Sequence, residues 1–435
     1  MFVMFIMSLT RLSLAACGFI LVFPGRAAAE ANLLRAGVAR VDITPLKPVT
    51  LSGYESRKDL SRGVHDPLFA RAIAFEQAGN RLVLVSTEIL GWYGGTAEPF
   101  RRAILESCRL RPSELFLSAI HTHSAPTPVL DPGKGHSNNV EYTQTLQGHL
   151  VAVVRAALDH LEPAAIGVGL GAAAVGANRR EQVVDAAGRS SVVLGRNPDG
   201  PVDRDVQVLK ITQTSDNVMT AVLFAYATHS TSLGPGNYLI SGDVHGLAAQ
   251  FVEHYVAGGA IAPGFAGASG NIDPWFRVRP GFNTTNGWIP EPVLLGTLLG
   301  EEVVRVLGDI KLAATNAPIA TRLDVLSLPG KPGTNAMPGE TVAPVPFVLT
   351  AARVGEVGFL GLGGEVFNEL GRTIKNASPF RHTVIITHCN GAAGYLPTTA
   401  AYPEGGYEVR SSRFAPGAAE VVVQEALRLL RELRQ

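Results

Sequence analysis

The chain has 435 residues, 46% of them hydrophobic and 17% charged, with 37 basic side chains against 37 acidic ones. That apolar content can build a sizeable core and excludes a mostly disordered chain. The charge balance, without any basic run, argues against a nucleic-acid footprint.

Residues 1–31 read as a signal peptide. Arg11 precedes an apolar stretch from Leu12 to Phe23, which Pro24-Gly25 breaks, and Ala27-Ala28-Ala29 and Ala29-Glu30-Ala31 both fit small-residue cleavage sites. The stretch is too short for a membrane-spanning helix. The mature chain is therefore expected to start near Glu30 or Asn32 and to be exported, to the periplasm or beyond. Leu14-Ala15-Ala16-Cys17 is a weaker, lipoprotein-type signal, because the apolar run continues past Cys17. Cys108 and Cys389 then remain, and an oxidising compartment can join them or leave two buried thiols.

Along the mature chain, Gly37 to Pro45 reads as a strand closing in a turn, and Leu51 to Gly63 as a polar loop holding Tyr54. Ala70–Glu76 and Leu82–Ser86 have strand composition, and Glu98–Leu110 has helical spacing. Leu115 to Ile120 is an apolar run that stops at His121-Thr122-His123, followed by Pro126 and Pro128. Tyr142–Leu161 is an amphipathic helix ended by Pro163. Ala165–Gly171 is strand-like, and Ala177-Asn178-Arg179-Arg180 is expected to start a loop. Val206–Ile211 and Met219–Ala227 are expected to pair as a hairpin about Ser215-Asp216-Asn217. Helices are expected at His245–Val256, Glu291–Leu307 and Ala418–Leu430, a short strand at Ile261–Ala266, and a long Gly- and Pro-rich loop over residues 328–346. Strands and helices alternate with no linker or repeat. The expected fold is therefore α/β, with mixed β-sheets flanked by helices in a single domain over residues 32–435.

The chemistry gathers where strands stop. Four apolar runs end at or near a potential ligand: His121 and His123, His229 after Ala227-Thr228, Glu365 after Gly363-Gly364, and Tyr395 in the loop beyond His388. Loops at the ends of buried strands commonly carry metal ligands and acid/base groups. Each residue also has a plain structural reading. His229 can be a core or capping histidine, Glu365 a helix N-terminal carboxylate, and Tyr395 an ordinary buried tyrosine. Together, two histidines and a carboxylate form a common catalytic zinc set that leaves room for water. Their dispersed spacing is a weak signal by itself.

These motifs resemble the neutral/alkaline ceramidase family, specifically its N-terminal catalytic domain. The resemblance runs from Gly37 through Asp42-Ile43-Thr44 to about Phe414. It is carried by Gly53-Tyr54, Gly63-Val64-His65, His121-Thr122-His123-Ser124, Asn178-Arg179, Ala227-Thr228-His229, Gly364-Glu365 and the run from Asn390 to Tyr407. It implies that His121, His229, Glu365 and Tyr395 hold Zn²⁺. It also implies that His123 is a second active-site histidine, that Tyr407 donates to the developing oxyanion, and that Arg179 lies in the pocket. The implied reaction is hydrolysis of a lipid amide, ceramide in the family, with contact to a membrane surface.

Two departures from the family pattern stand out. Gly270-Asn271-Ile272-Asp273-Pro274 places Asp273 where the family carries a serine. A carboxylate there can orient or deprotonate a water, hold a second cation, or simply shape a turn before Pro274. The chain also stops where the family continues into a C-terminal β-sandwich, which is expected to be absent. Both departures leave a small N-acyl compound or an ester as an alternative substrate. A non-catalytic lipid- or glycan-binding relative is the remaining alternative.

Overall fold

The computed structural model describes residues 33–256, 258–275, 291–311, 314–332 and 342–435. The leader, including Cys17, and the middle of the Gly- and Pro-rich run lie outside the described residues. The strands begin with β1 (Arg35–Asp42), β2 (Gly63–Val64), β3 (Phe69–Gln77), β4 (Asn80–Thr87), β5 (Leu115–Ala119), β6 (Glu162–Ala172), β7 (Gly176–Val184) and β8 (Ser190–Asn197). Then come β9 (Asp205–Gln213), β10 (Met219–Tyr226), β11 (Leu239–Ile240), β12 (Gly264–Ala266) and β13 (Ile272–Pro274). The last are β14 (Ile319–Leu328), β15 (Val345–Val354), β16 (Val357–Leu362), β17 (Glu365–Val366), β18 (His382–Ile386) and β19 (Tyr395–Leu396).

Two mixed sheets carry the molecule. One has eight strands in the order β12-β10-β9-β6-β1-β3-β4-β5, and the other runs β14-β15-β16-β18. Their central strands, such as β3, β4, β10 and β16, are apolar on both faces, as strands covered on both sides must be. On β3, Ala70, Ala72 and Ala74 face Phe100, Ile104, Leu146 and Leu150 of the helices Ala97–Cys108 and Ser137–Asp159. The alternate residues Ile73 and Phe75 face inward, where they share a cluster with Ala352, Val354, Phe359 and Val384 of the second sheet. This period of two lets one strand serve two cores. The helices Asp243–Tyr255 and Glu291–Asp309 cover β9 and β10, and Asn368–Ala377 and Ala418–Arg434 cover the second sheet. The result is helices, sheet, sheet, helices. Among the described residues no helix is long and apolar enough to cross a membrane.

The eight-stranded sheet curls until its two ends approach each other. Ser86 of β4 donates its hydroxyl to the Gly264 carbonyl of β12 (2.5 Å). The segment after β18 fills the remaining gap. Thr387 N–H reaches the Ala266 carbonyl (2.9 Å), and Asn390 N–H reaches Leu117 (2.8 Å). The Asn390 amide then stitches the seam. Its oxygen accepts from Leu117 N (3.0 Å) and Arg101 Nε (3.2 Å), and its nitrogen donates to Leu115 O (2.6 Å) and Thr350 Oγ1 (2.9 Å). That uses the full donor and acceptor capacity of a primary amide.

The predicted hairpin is present, with β9 and β10 antiparallel. Two segments expected as loops, around Arg179 and Tyr395, are strands, and Glu365, expected just past a strand end, opens another. Arg179 lies on β7, because Ala177 and Asn178 pair with Asp273 and Ile272 of β13. Glu365 and Tyr395 lie on β17 and β19, a two-strand ladder that no local pattern announces. Cys108 and Cys389 are free thiols: Cys389 is buried in the core between the sheets, while Cys108 packs beneath the helices on the other face.

Candidate metal centre

The curl of the large sheet brings the end of β5 beside the end of β10. Thr122 and Ser230 form a parallel bridge there, and His123 N–H donates to the Ser230 carbonyl (3.1 Å). His121 adopts φ +62°, in the left-handed region. That conformation is uncommon for a residue with a side chain and costs on the order of 1–3 kcal/mol. It turns the imidazole out of the strand's pleat, so His121 and His123 meet edge to face with ring centroids 4.9 Å apart. His388 (φ +51°) and Asn390 (φ +59°) share the same unusual backbone at the facing segment.

Carbonyl partners set the tautomers of two imidazoles. His121 Nδ1 lies 2.7 Å from the Leu90 carbonyl, and His229 Nδ1 lies 2.8 Å from Ser269 O and 3.0 Å from Ile272 O. A carbonyl can only accept, so both Nδ1 atoms carry the proton and both Nε2 atoms present lone pairs inward. His388 stacks on His121 at 3.9 Å and 12°.

Glu365 completes the convergence. Its Oε2 is 3.4 Å from His121 Nε2 and 3.6 Å from His229 Nε2. Its Oε1 accepts from the Tyr93 hydroxyl at 2.6 Å. Burial alone would raise the Glu365 carboxyl, but positive charge facing it, on His121 and His229 when they are protonated, outweighs burial and holds it well below the usual range. Tyr395 sits beside Glu365 and accepts from Arg179 Nη2 at 3.1 Å. Burial and the neighbouring Glu365 push the Tyr395 phenol well up, with Arg179 pulling the other way.

The remaining predicted residues line the same place. His123 Nε2 lies 3.4 Å from His121 Nε2, and the Tyr54 ring packs at 4.9 Å from the His123 ring. Its low-dielectric surroundings, with His121 and His229 adding to them, hold His123 well below an ordinary imidazole. Arg179 is buried and donates from all three guanidinium nitrogens: to Glu408 (2.7 Å), to Asp273 (3.1 Å) and to Gly270 O (2.8 Å). Asp273 is wholly buried, and its other oxygen is 3.5 Å from Arg196. Tyr407 is 42% exposed at the rim, its ring 5.6 Å from that of Tyr395.

The residues present fit a metal ion. Ligand atoms of His121, His123 and His229 lie within 4.8 Å of one another. The buried Glu365 Oε2 has no hydrogen-bond partner, although it points at two imidazole nitrogens. An uncompensated buried carboxylate oxygen is costly unless it meets a cation. Imidazole and carboxylate donors are ones that suit zinc, among other ions. Sequence reasoning missed two members of this site. Tyr93 lies in the turn Gly91-Trp92-Tyr93-Gly94-Gly95, where the flanking glycines were the available signal. His388 follows the apolar strand β18, as His121 and His229 follow theirs.

The neutral/alkaline non-lysosomal ceramidase N-terminal family model matches residues 34–272. The chain belongs to that family. The neutral ceramidase of Pseudomonas aeruginosa is 27% identical over 269 residues, 57% of this chain and 38% of that protein. Neutral ceramidase 2 of Arabidopsis thaliana is 28% identical over 240 residues, 51% of this chain and 30% of that protein. The matched region thus spans well under half the length of these curated relatives. The crystal structure of the Pseudomonas aeruginosa neutral ceramidase superposes with a TM-score of 0.74 at 20% identity, covering 92% of this chain and 74% of that one. A ceramidase complexed with C2 gives 0.72 at 19% identity, covering 92% and 75%. The ceramidase-family fold therefore extends beyond residue 272, through the strands that carry Glu365 and Tyr395.

Proposed function

We propose that this protein is a zinc-dependent hydrolase of lipid amides, with N-acylsphingosine as the substrate class. The observation that carries the reading is the convergence of His121 Nε2, His229 Nε2 and Glu365 Oε2 from three separate strand ends. Family membership and relatives named as neutral ceramidases support it.

His121, His229, Glu365 and Tyr395 would hold the ion. Zinc in such a site supplies a Lewis acid for the amide carbonyl and lowers the pKa of water. His123, beside the two imidazoles, receives the proton given up by the attacking water and passes it to the leaving amine. Tyr407, the exposed phenol at the rim, donates to the oxygen that becomes negative. Arg179 has no nitrogen to spare for that oxygen. Its part is to hold Tyr395, with Asp273 and Glu408 clamping the guanidinium from two sides. Asp273 is therefore read as an anchor for Arg179 rather than as the proton acceptor. Residues 1–31 support an exported enzyme.

Asp273 also favours a second reading in which the substrate is an ester or a small N-acyl compound. The test is a panel: purified protein against N-acylsphingosine, soluble amides and esters, with chelator and after zinc is restored. We expect N-acylsphingosine turnover that chelator abolishes and zinc restores, and none from His121→Ala. Normal turnover by metal-free His121→Ala would overturn the metal mechanism. Preference for the soluble compounds would move the substrate class. Stoichiometric zinc with no turnover would point to a binding protein.

A further inference from the structure

We propose that Tyr93 is a positioning residue that fixes which oxygen of Glu365 faces the metal. This rests on the metal reading above. Glu365 has two carboxylate oxygens, and the structure treats them differently. Oε1 accepts the Tyr93 hydroxyl at 2.6 Å, whereas Oε2 points toward His121 and His229 and accepts no hydrogen bond. A short phenol-to-carboxylate bond of this kind is among the stronger hydrogen bonds. It holds the carboxylate's torsion and leaves a single oxygen to bind the ion.

The loop holding Tyr93 is built for that contact. A side chain on Gly91 would come within 2.7 Å of the Tyr93 ring, so glycine there lets the ring fold back over its own chain. Gly94 and Gly95 take φ +63° and +81°, turning the backbone sharply after the tyrosine. Thr96 then closes the turn, its hydroxyl donating to the Tyr93 carbonyl at 2.8 Å. The same loop carries the Leu90 carbonyl that orients His121. One short segment thus supplies outer partners to two of the ion's donors.

The hydrogen-bond roles also separate two neighbouring tyrosines. Tyr395 accepts from Arg179 Nη2 at 3.1 Å, so its oxygen is turned toward positive charge. Tyr93 donates to a carboxylate. Both phenols border Glu365, and the Arg179 contact is what sets Tyr395 apart from Tyr93.

Zinc affinity measured by chelator competition tests the role, on the wild type, Tyr93→Phe, Glu365→Ala and the double variant, with the melting temperature of each metal-free protein. Losing an outer-shell partner weakens metal binding about 10–100-fold. We expect that loss in Tyr93→Phe, and no added loss when Tyr93→Phe is placed on Glu365→Ala. Unchanged affinity in Tyr93→Phe, or an equal loss in the Glu365→Ala background, would overturn the positioning role. A wild type that binds no zinc would instead overturn the metal reading itself.

Discussion

Glu365 and Tyr395 are direct Cα partners in the parallel ladder between β17 and β19. Paired positions on adjacent strands project to the same face, so the ladder puts a carboxylate and a phenol side by side. Glu365 N–H to Gly394 O, at 2.9 Å, locks the register. Tyr395→Phe should leave that ladder intact while removing one donor. We expect a folded protein with weakened zinc binding. Glu365→Ala should lose more than the about 100-fold set by an outer-shell partner. Chelator competition on both variants checks the order.

Gly53 has φ +94°, and a Cβ there would lie 2.3 Å from His123 Nδ1. Gly53→Ala should therefore displace the His123 ring, with about 1–2 kcal/mol of backbone strain added. If His123 moves protons, turnover falls and zinc content stays. If zinc content falls with turnover, His123 is instead a ligand. Metal analysis beside kcat decides between them.

Removing Arg179 should cost far more than a surface ion pair. Arg179→Met would take one buried cationic partner from each of Asp273 and Glu408, leaving Arg196 near the first and Arg180 on the second, a loss of about 3 kcal/mol, the low end for breaking a buried pair. Adding Asp273→Asn should recover part of that loss, because one of the two under-compensated carboxylates is gone. Denaturant unfolding of both variants and the wild type measures the recovery.

His245 should cost the metal-free protein stability as pH falls from about 6.5 toward 4. Burial holds His245 down to about 4 from 6.5, while Ser230 Oγ (2.8 Å) and Tyr226 O (3.1 Å) occupy its ring nitrogens. The unfolded chain then binds the proton that the folded chain refuses, so stability rises with pH across that window. For His245 alone this is about 3 kcal/mol. His123, His229 and His388 are lowered too and act in the same direction. Asp243 and Glu88 oppose them, because burial raises them to about 6 and about 7, and His65, raised by its bond to Asp66, opposes them near neutral pH. The share of His245 is therefore read as the difference between wild type and His245→Gln in melting curves taken in chelator from pH 4.5 to 7.5, with the variant losing less stability toward low pH. Parallel curves for the two proteins would contradict the account.

Much of the centre was legible because an apolar run that stops at a polar residue is a local signal. His121, His229 and Glu365 each stand just past such a run. What was not legible depends on distant partners. Arg179 sits on a strand that pairs with β8 on one side and, on the other, with β13, nearly a hundred residues away in the chain. The left-handed turn at His121 and the Tyr93–Glu365 bond are likewise products of tertiary contact, and no spacing rule encodes either. Asp273 stood out in the sequence, but its tie to Arg179 could not be read from a turn sequence. The disulfide question was open for the same reason, since only packing shows that the two thiols lie in separate cores.

The Asn390 seam bears on how the protein matures. The family-matched segment, residues 34–272, contains both imidazoles but neither Glu365 nor Tyr395. Those two arrive with the second sheet, whose seam with the first closes when Asn390 has been synthesised and docked. On the metal reading, a polypeptide still emerging from the ribosome owns half of the proposed cage. Tight ion capture would then be an event of the finished molecule, and metal loading a built-in inspection of its assembly.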